Sequence, residues 1–402
     1  MAGPGVPVRV ALPIIVVSQF LATALWFSVN SAAGELQQDW GIGVAGIGLL
    51  TGAVQLGFIL GTLVFALTGM ADRYPASRIF ASCALMGALA NGGFVLLAHG
   101  LFGGMAWRFV VGLALAGVYP LGMKLVVRWA PEHAPRSLAW LVGMLCLGTA
   151  LPQGLRALGG GLPWQWAVLA ASGLALGAAA LVLWLGDGPG AARARSTGPL
   201  ALGRVLQAFA LPRFRASALG YFGHMWELYA FWTLVPVLVE RSRLPERLGA
   251  GTLSGLSFFV IGAGALGCLA GGEAARRLGS ARVAALALAL SALCCLVYPW
   301  AADSAPTLLL GVLLVWGLAV VADSPQFSAL SASACPPELM GSALAIQNSI
   351  GFAITVLAIQ QCTQGVDHAG AYISWWLLPG PVLGLIALYP VWRREIRPEA
   401  RA

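Results

Sequence analysis

Apolar residues recur in stretches of about 20 along nearly the whole chain, the length that crosses a bilayer as a helix. Within these stretches neither a two-residue nor a 3.6-residue alternation separates a wet face from a dry one. Ala81 to Ala98, for example, presents apolar residues to every side of a helix. A transmembrane barrel would alternate apolar and polar residues in segments of about ten, so the pattern predicts membrane helices and not strands. Twelve spans are expected, at 10–33, 45–68, 79–99, 104–127, 137–158, 163–185, 216–239, 250–272, 281–300, 306–331, 341–364 and 372–392.

Composition strengthens this reading. Of 402 residues, 59% are hydrophobic and only 9% are charged, against roughly 25% charged in soluble proteins. Water cannot be the solvent of such a surface. The formal charge of +8 comes from Lys and Arg scattered at helix ends, which excludes a nucleic-acid partner on present signals and points to topology. The N-terminal run follows Arg9 and passes Trp26 and Asn30 without a small-residue cleavage site, so it reads as a retained first span.

The segment 187–215, with Asp187, Gly188, Pro189, Gly190, Arg193 and Arg195, is the expected cytoplasmic linker. It divides the chain into a bundle at 1–186 and a second at 216–402, six helices each. Most of the Lys and Arg fall inside if both termini and the linker are cytoplasmic, the orientation that basic residues favour. The outer loop after the seventh span, with Arg241, Arg243 and Arg247, runs against that bias. The halves also repeat. At an offset of 205, Gly112-Leu113-Ala114 meets Gly317-Leu318-Ala319, and Pro120 and Pro131 meet Pro325 and Pro336. The fourth span therefore corresponds to the tenth. Duplicated bundles suit alternating access about a central site.

Several motifs resemble those of the major facilitator superfamily of secondary transporters. After the second span, Asp72, Arg73 and Arg78 fit its loop pattern, with the first glycine displaced to Gly69 and Pro75 in place of the later one. In the second half Gly272, Arg277, Gly279 and Arg282 fit, while Arg276 replaces the acid. The run Arg108-Phe109-Val110-Val111-Gly112 through Tyr119-Pro120 resembles the family's fourth-helix motif, closest to porters of nitrate, cyanate and small organic anions. Asn348-Ser349-Ile350-Gly351-Phe352 is similar to the asparagine signature of the nitrate porters. Gly148 to Gly154 is a partial likeness to a motif of proton-driven exporters, with Leu151 where glycine is expected before Pro152. The resemblance implies an all-α fold of twelve transmembrane helices in two pseudo-symmetric bundles, with Asp72, Arg73, Arg78, Arg277 and Arg282 as gating residues.

Ionisable groups at bilayer depth are costly and usually face a cavity, a partner or an ion path. Arg108 requires a carboxylate, backbone carbonyls or an anionic solute; an arginine reaching the outer headgroups is the plainer alternative. On the seventh span His224 and Glu227 lie three residues apart on one helical face, so they could share a proton, contact a polar solute without proton coupling, or make a structural hydrogen bond between helices. Asp323, beside Pro325, suggests a proton or cation site at a helix irregularity, or a partner for Arg108 or Lys124. These three, His224, Glu227 and Asp323, form the expected proton-coupling set. Trp26, Asn30, Gln55, Arg108, Tyr119, Lys124, Trp226, Tyr229, Gln326, Gln347 and Asn348 form the expected solute cavity; individually many of them read equally well as packing residues.

The seven cysteines show no CxxC spacing, the four histidines are scattered, and neither HExxH nor a phosphate-binding glycine loop followed by Lys-Ser or Lys-Thr occurs. No cofactor, bound metal or ATP-driven cycle is expected, and no enzyme. The expectation is a monomeric, multi-pass protein of the bacterial inner membrane. It performs proton-coupled transport of a small anionic or zwitterionic solute, its partners being that solute, protons and membrane lipids. The competing expectation is proton-driven export of hydrophobic or cationic compounds.

Overall fold

The computed structural model describes residues 7–130, 134–188, 207–249, 251–336 and 339–396. Most of the expected linker, 189–206, lies outside the described residues, as does the side chain of Asp72. No strand occurs among the described residues. In lipid a backbone has no water to bond, so each crossing segment closes its own hydrogen bonds as a helix.

Two compact units are present: 1–199 with 251–262, and 200–250 with 263–402. The first contains α1 (Val8–Thr23), α2 (Ala33–Trp40), α3 (Val44–Thr68), α4 (Met70–Arg73), α5 (Ala76–Leu97), α6 (Leu101–Leu115), α7 (Tyr119–Trp129), α8 (Ala134–Leu158) and α9 (Trp164–Leu185). The chain continues with α10 (Pro212–Arg241), α11 (Leu244–Leu248), α12 (Leu253–Leu278), α13 (Ser280–Ala302), α14 (Pro306–Ala322), α15 (Ser324–Ala334), α16 (Met340–Ala369), α17 (Ile373–Leu377) and α18 (Pro379–Ile396). These belong to the second unit, except that the start of α12 falls in the first.

Nine stretches among the described residues are long and apolar enough to cross a membrane. The difference from the expected twelve has three local causes. The first helix stops at Thr23 and is only 16 residues long. The 30 residues of α10 include Arg213, Arg215, His224, Glu227, Glu240 and Arg241, which lower their apolar character. The stretch 343–393 runs through both α16 and α18.

The repeat shows in the breaks and in the packing. The fourth span divides at residues 116–118 into α6 and α7, ahead of Pro120. The tenth divides at Asp323 into α14 and α15, ahead of Pro325. Val118 and Asp323 are the N-caps of the second segments and sit at the 205-residue offset. In the first unit a Cβ on Gly61 of α3 would lie 2.9 Å from the Leu113 carbonyl of α6. In the second, a Cβ on Gly267 of α12 would lie 2.0 Å from the Leu318 carbonyl of α14. Leu113 and Leu318 are partners in the repeat, so both units bring the same pair of backbones into contact at glycine.

The ends of the first unit's helices are tied by polar groups. Asp187 Oδ1 accepts the backbone N–H of Ser77 at 2.7 Å, satisfying an orphan donor at the start of α5, and stands 3.8 Å from Arg128 at the end of α7. Trp129 Nε1 donates to the Gly186 carbonyl at 3.2 Å. Arg156 pairs with Glu35, and Trp164 Nε1 donates to Asp39 at 3.0 Å.

Candidate functional site

Each unit encloses a polar network built on a buried ionisable residue. In the first unit the chain leaves helical geometry between Thr23 and Val29, with no proline or glycine in that interval. The carbonyls of Leu25 and Trp26 thereby lose their helical donors. Arg108, wholly buried on α6, replaces them. Its Nη1 donates to Leu25 O at 3.1 Å, Ser28 Oγ at 3.2 Å and Asn91 Oδ1 at 3.0 Å, and its Nη2 donates to Trp26 O. Asn91 Nδ2 extends the network to Val168 O at 2.9 Å and Ser172 Oγ at 3.1 Å. Arg108 therefore reaches neither headgroups nor a carboxylate. In this structure both of its terminal nitrogens are engaged by protein.

Around that network lie other expected cavity residues. Asn30 Nδ2 donates to Thr51 Oγ1 at 2.8 Å. Trp26 packs on Phe58 with ring centroids 5.0 Å apart. Gln55, one turn beyond Thr51 on α3, is fully buried with neither amide atom hydrogen-bonded among the described residues. Tyr119 and Lys124 on α7 are half-buried, and Lys124 Nζ donates to the carbonyl of Ala71, next to Asp72. Of the expected gating residues, Arg73, Arg78 and Arg277 are exposed and Arg282 is half-buried.

In the second unit His224 and Asp323 meet. His224 Nδ1 lies 2.9 Å from Asp323 Oδ1, with side-chain exposures of 1% and 2%. Asp323 occupies the break between α14 and α15, where its carbonyl accepts the N–H groups of Gln326 and Phe327, both at 2.9 Å. The sequence spacing offered Glu227 as the histidine's local companion, yet the carboxylate beside His224 comes from another helix. Asp323 is paired by this histidine and not by Arg108 or Lys124.

Glu227 has its own partners. Its Oε1 accepts hydrogen bonds from Ser291 Oγ at 2.6 Å, Trp316 Nε1 at 2.6 Å and Cys295 Sγ at 3.2 Å. It therefore ties α10 to α13 and α14. These donors were not singled out from sequence, because serine, tryptophan and cysteine at apolar positions carry no distinguishing signal. Asn91 was more accessible to reasoning, as a lone amide inside an apolar span.

Beside the His224 and Asp323 pair, the Tyr221 and Phe327 rings lie 6.1 and 6.0 Å from the imidazole centroid. His224 Nε2 and Gln347 Oε1 are buried without hydrogen-bond partners among the described residues, and Asp323 Oδ1 has only its ion-pair approach to His224 Nδ1. Gln326 is buried and Asn348 half-buried. Tyr229 packs against Trp232 and Phe352 at 5.2 and 5.3 Å. Trp226 is half-buried and turns elsewhere, donating to the Trp376 carbonyl at 2.9 Å.

A cavity of about 450 Å³ at one end of the second unit is lined by Arg241, Arg243, Arg247, Tyr298 and Asp303. Its arginines serve helix ends. Arg241 donates to Val366 O at 2.7 Å and pairs with Asp367; Arg247 donates to Ala302 O at 2.8 Å and to Ser304 O. Guanidinium groups at helix C-termini satisfy orphan carbonyls and offset the negative dipole end. This accounts for basic residues that ran against the sequence's charge bias.

Long apolar helices, interrupted in mid-span and enclosing buried ionisable networks, define a multi-pass membrane carrier. The family follows from comparison: the model of the Major Facilitator Superfamily matches residues 15–359, and the chain belongs to that superfamily. Its members are carriers of small-molecule solutes and not enzymes. The chain is 30% identical over 127 residues to the niacin transporter NiaP of Acinetobacter baylyi, a match covering 29% of this chain and 28% of that protein. The chain thus matches just over a quarter of the length of this curated relative. The crystal structure of a bacterial homologue of the human lysosomal transporter Spinster, inward-facing and unoccupied, is similar in fold over 100% of both chains, with a TM-score of 0.69 and 14% identity.

Proposed function

We propose that the protein performs proton-coupled secondary transport of a small anionic or zwitterionic solute by alternating access, with His224, Asp323 and Glu227 as the coupling set. The observation that carries this reading is the buried pair His224 and Asp323, 2.9 Å apart at a helix break. A carboxylate and an imidazole removed from water titrate as a unit, and their proton count responds to whatever enters the site. Helix interruptions near ionisable groups are the usual construction of solute and ion sites in carriers.

The same geometry favours an anion over the alternative of cationic export. Both buried carboxylates are already engaged, Asp323 by His224 and Glu227 by three donors. Among the buried polar atoms without a hydrogen bond beside the pair is the ring nitrogen Nε2, which when protonated donates to an anion. Niacin, the solute named for the relative in Acinetobacter baylyi, is a small aromatic acid and falls in this class. The proposal extends to two six-helix bundles, 1–186 and 216–402, joined by a cytoplasmic linker. It places both termini on the cytoplasmic side of a bacterial inner membrane and has the protein act as a monomer.

The test is proton movement in vesicles holding the purified protein, on addition of a pool of small organic anions, in the parent and in Asp323→Asn. A solute-dependent proton flux that disappears in the variant supports the reading. Solute uptake by the parent with no proton flux refutes proton coupling.

A further inference from the structure

We infer that the coupling proton and the acidic group of the solute meet at one atom, His224 Nε2, so that a small monocarboxylate binds only when this histidine is protonated. The inference rests on the proposed function and names its solute class and its coupling point. His224 turns Nδ1 to Asp323 at 2.9 Å. Nδ1 is the nitrogen that faces the carboxylate, so the nitrogen open to a proton and a ligand from elsewhere is Nε2. That nitrogen is on a side chain 1% exposed and has no hydrogen-bond partner among the described residues. Leaving a buried polar atom unpaired is costly, and a ligand that supplies the missing partner removes that cost.

The surroundings fit an organic acid. Tyr221 and Phe327 place aromatic rings beside the imidazole, with centroids 6.1 and 6.0 Å away. Gln347 Oε1 is a second buried, unpartnered atom. It lies one helical turn before Gly351, the α16 position against which Tyr221 and Met225 of α10 pack. A neutral Nε2 presents a lone pair to a carboxylate and repels it; protonated, it donates a charge-assisted hydrogen bond. The step balances simply: one proton passes from solvent to Nε2, one carboxylate hydrogen-bonds the resulting N–H, and both leave together on the other side.

Other titratable groups are few around this atom. On α10 itself Tyr221 and Glu227 lie within one turn, and α13, which packs against α15, carries Cys294 and Cys295 on the Glu227 side, Tyr298 one turn beyond and Arg282 at its start. Asp323 precedes α15, and α14, α15 and α17 carry no further titratable side chain. On α16 there are Cys362 and, at its end beside Arg241, Asp367 and His368. On α11 Glu246 pairs with Arg243 beside Arg247, and α18 carries Tyr389, Arg393, Arg394 and Glu395 in its last two turns.

Equilibrium binding of nicotinate, benzoate and lactate to the full-length protein in detergent tests the inference, with nicotinamide as the uncharged control. In the parent, affinity for at least one carboxylate should fall as pH rises, approaching about tenfold per pH unit, and one proton should be taken up per bound solute. Calorimetry in buffers of different ionisation enthalpy counts that proton without any variant. His224→Gln, which keeps a neutral donor, should bind with a flat pH profile, while Gln347→Ala should weaken binding and leave the slope unchanged. Failure of all three acids to bind, equal slopes for nicotinate and nicotinamide, or a parental slope in His224→Gln would each overturn it. A flat parental affinity alongside solute-driven proton flux in vesicles would place coupling elsewhere, overturning the inference while the proposed function stands.

Discussion

At the scale of single residues, both networks replace a missing partner with one from far along the chain. Arg108 supplies donors to carbonyls 82 and 83 residues away, and Asn91 holds it in place. Asn91→Ala removes an acceptor from Arg108 and Ser28 and should lower stability by about 1 to 3 kcal/mol, measured by unfolding in detergent; an unchanged midpoint would mean the guanidinium needs no fixing. Trp316→Phe keeps an aromatic ring, though a smaller one, and deletes one of three hydrogen bonds to Glu227. A loss of about 1 to 3 kcal/mol is expected, with transport retained if Glu227 works mainly as a tie between helices. The sequence made the ionisable residues themselves legible, because charge inside an apolar run is conspicuous. It did not make the pairing legible: i,i+3 spacing joined His224 to Glu227, and only the tertiary fold brings Asp323 to the imidazole.

Among the helices, proline announced some interruptions and nothing announced another. Pro120 and Pro325 share the repeat offset, and each follows a break. The first helix stops within Ala24 to Ser28, residues with no intrinsic reason to break. The reason lies in α6, where Arg108 stabilises the free carbonyls. Helix packing is more sharply testable. A Cβ on Gly112 would sit 1.9 Å from the Val54 carbonyl, and one on Gly267 2.0 Å from that of Leu318, whereas Gly92 has nothing within 4 Å. Gly112→Ala and Gly267→Ala should therefore each cost about 1 to 3 kcal/mol or more by forcing backbones apart. Gly92→Ala should raise stability by about 0.5 to 1 kcal/mol through helix propensity. Equal effects at the three positions would contradict the close packing of α3 on α6 and α12 on α14.

For the whole molecule, the pattern of apolar runs was enough to foresee membrane helices, because lipid admits only helices and closed barrels and the runs lack a barrel's alternation. The arginines at 241, 243 and 247 looked anomalous in a charge count; two became intelligible when the ends of α16 and α13 came beside Arg241 and Arg247, and Arg243 pairs with Glu246. The solute was the least legible element, since a tenfold preference corresponds to about 1.4 kcal/mol, the size of one hydrogen bond. The central claim is proton coupling through the His224 and Asp323 pair. Its most direct measurement is uphill uptake into vesicles of a labelled small carboxylate that the protein binds, driven by an inward proton gradient with the membrane potential clamped. The account predicts accumulation above equilibrium in the parent, abolished by a protonophore, and mere equilibration in Asp323→Asn. Uphill accumulation by that variant, or uptake by the parent that ignores the gradient, would contradict it.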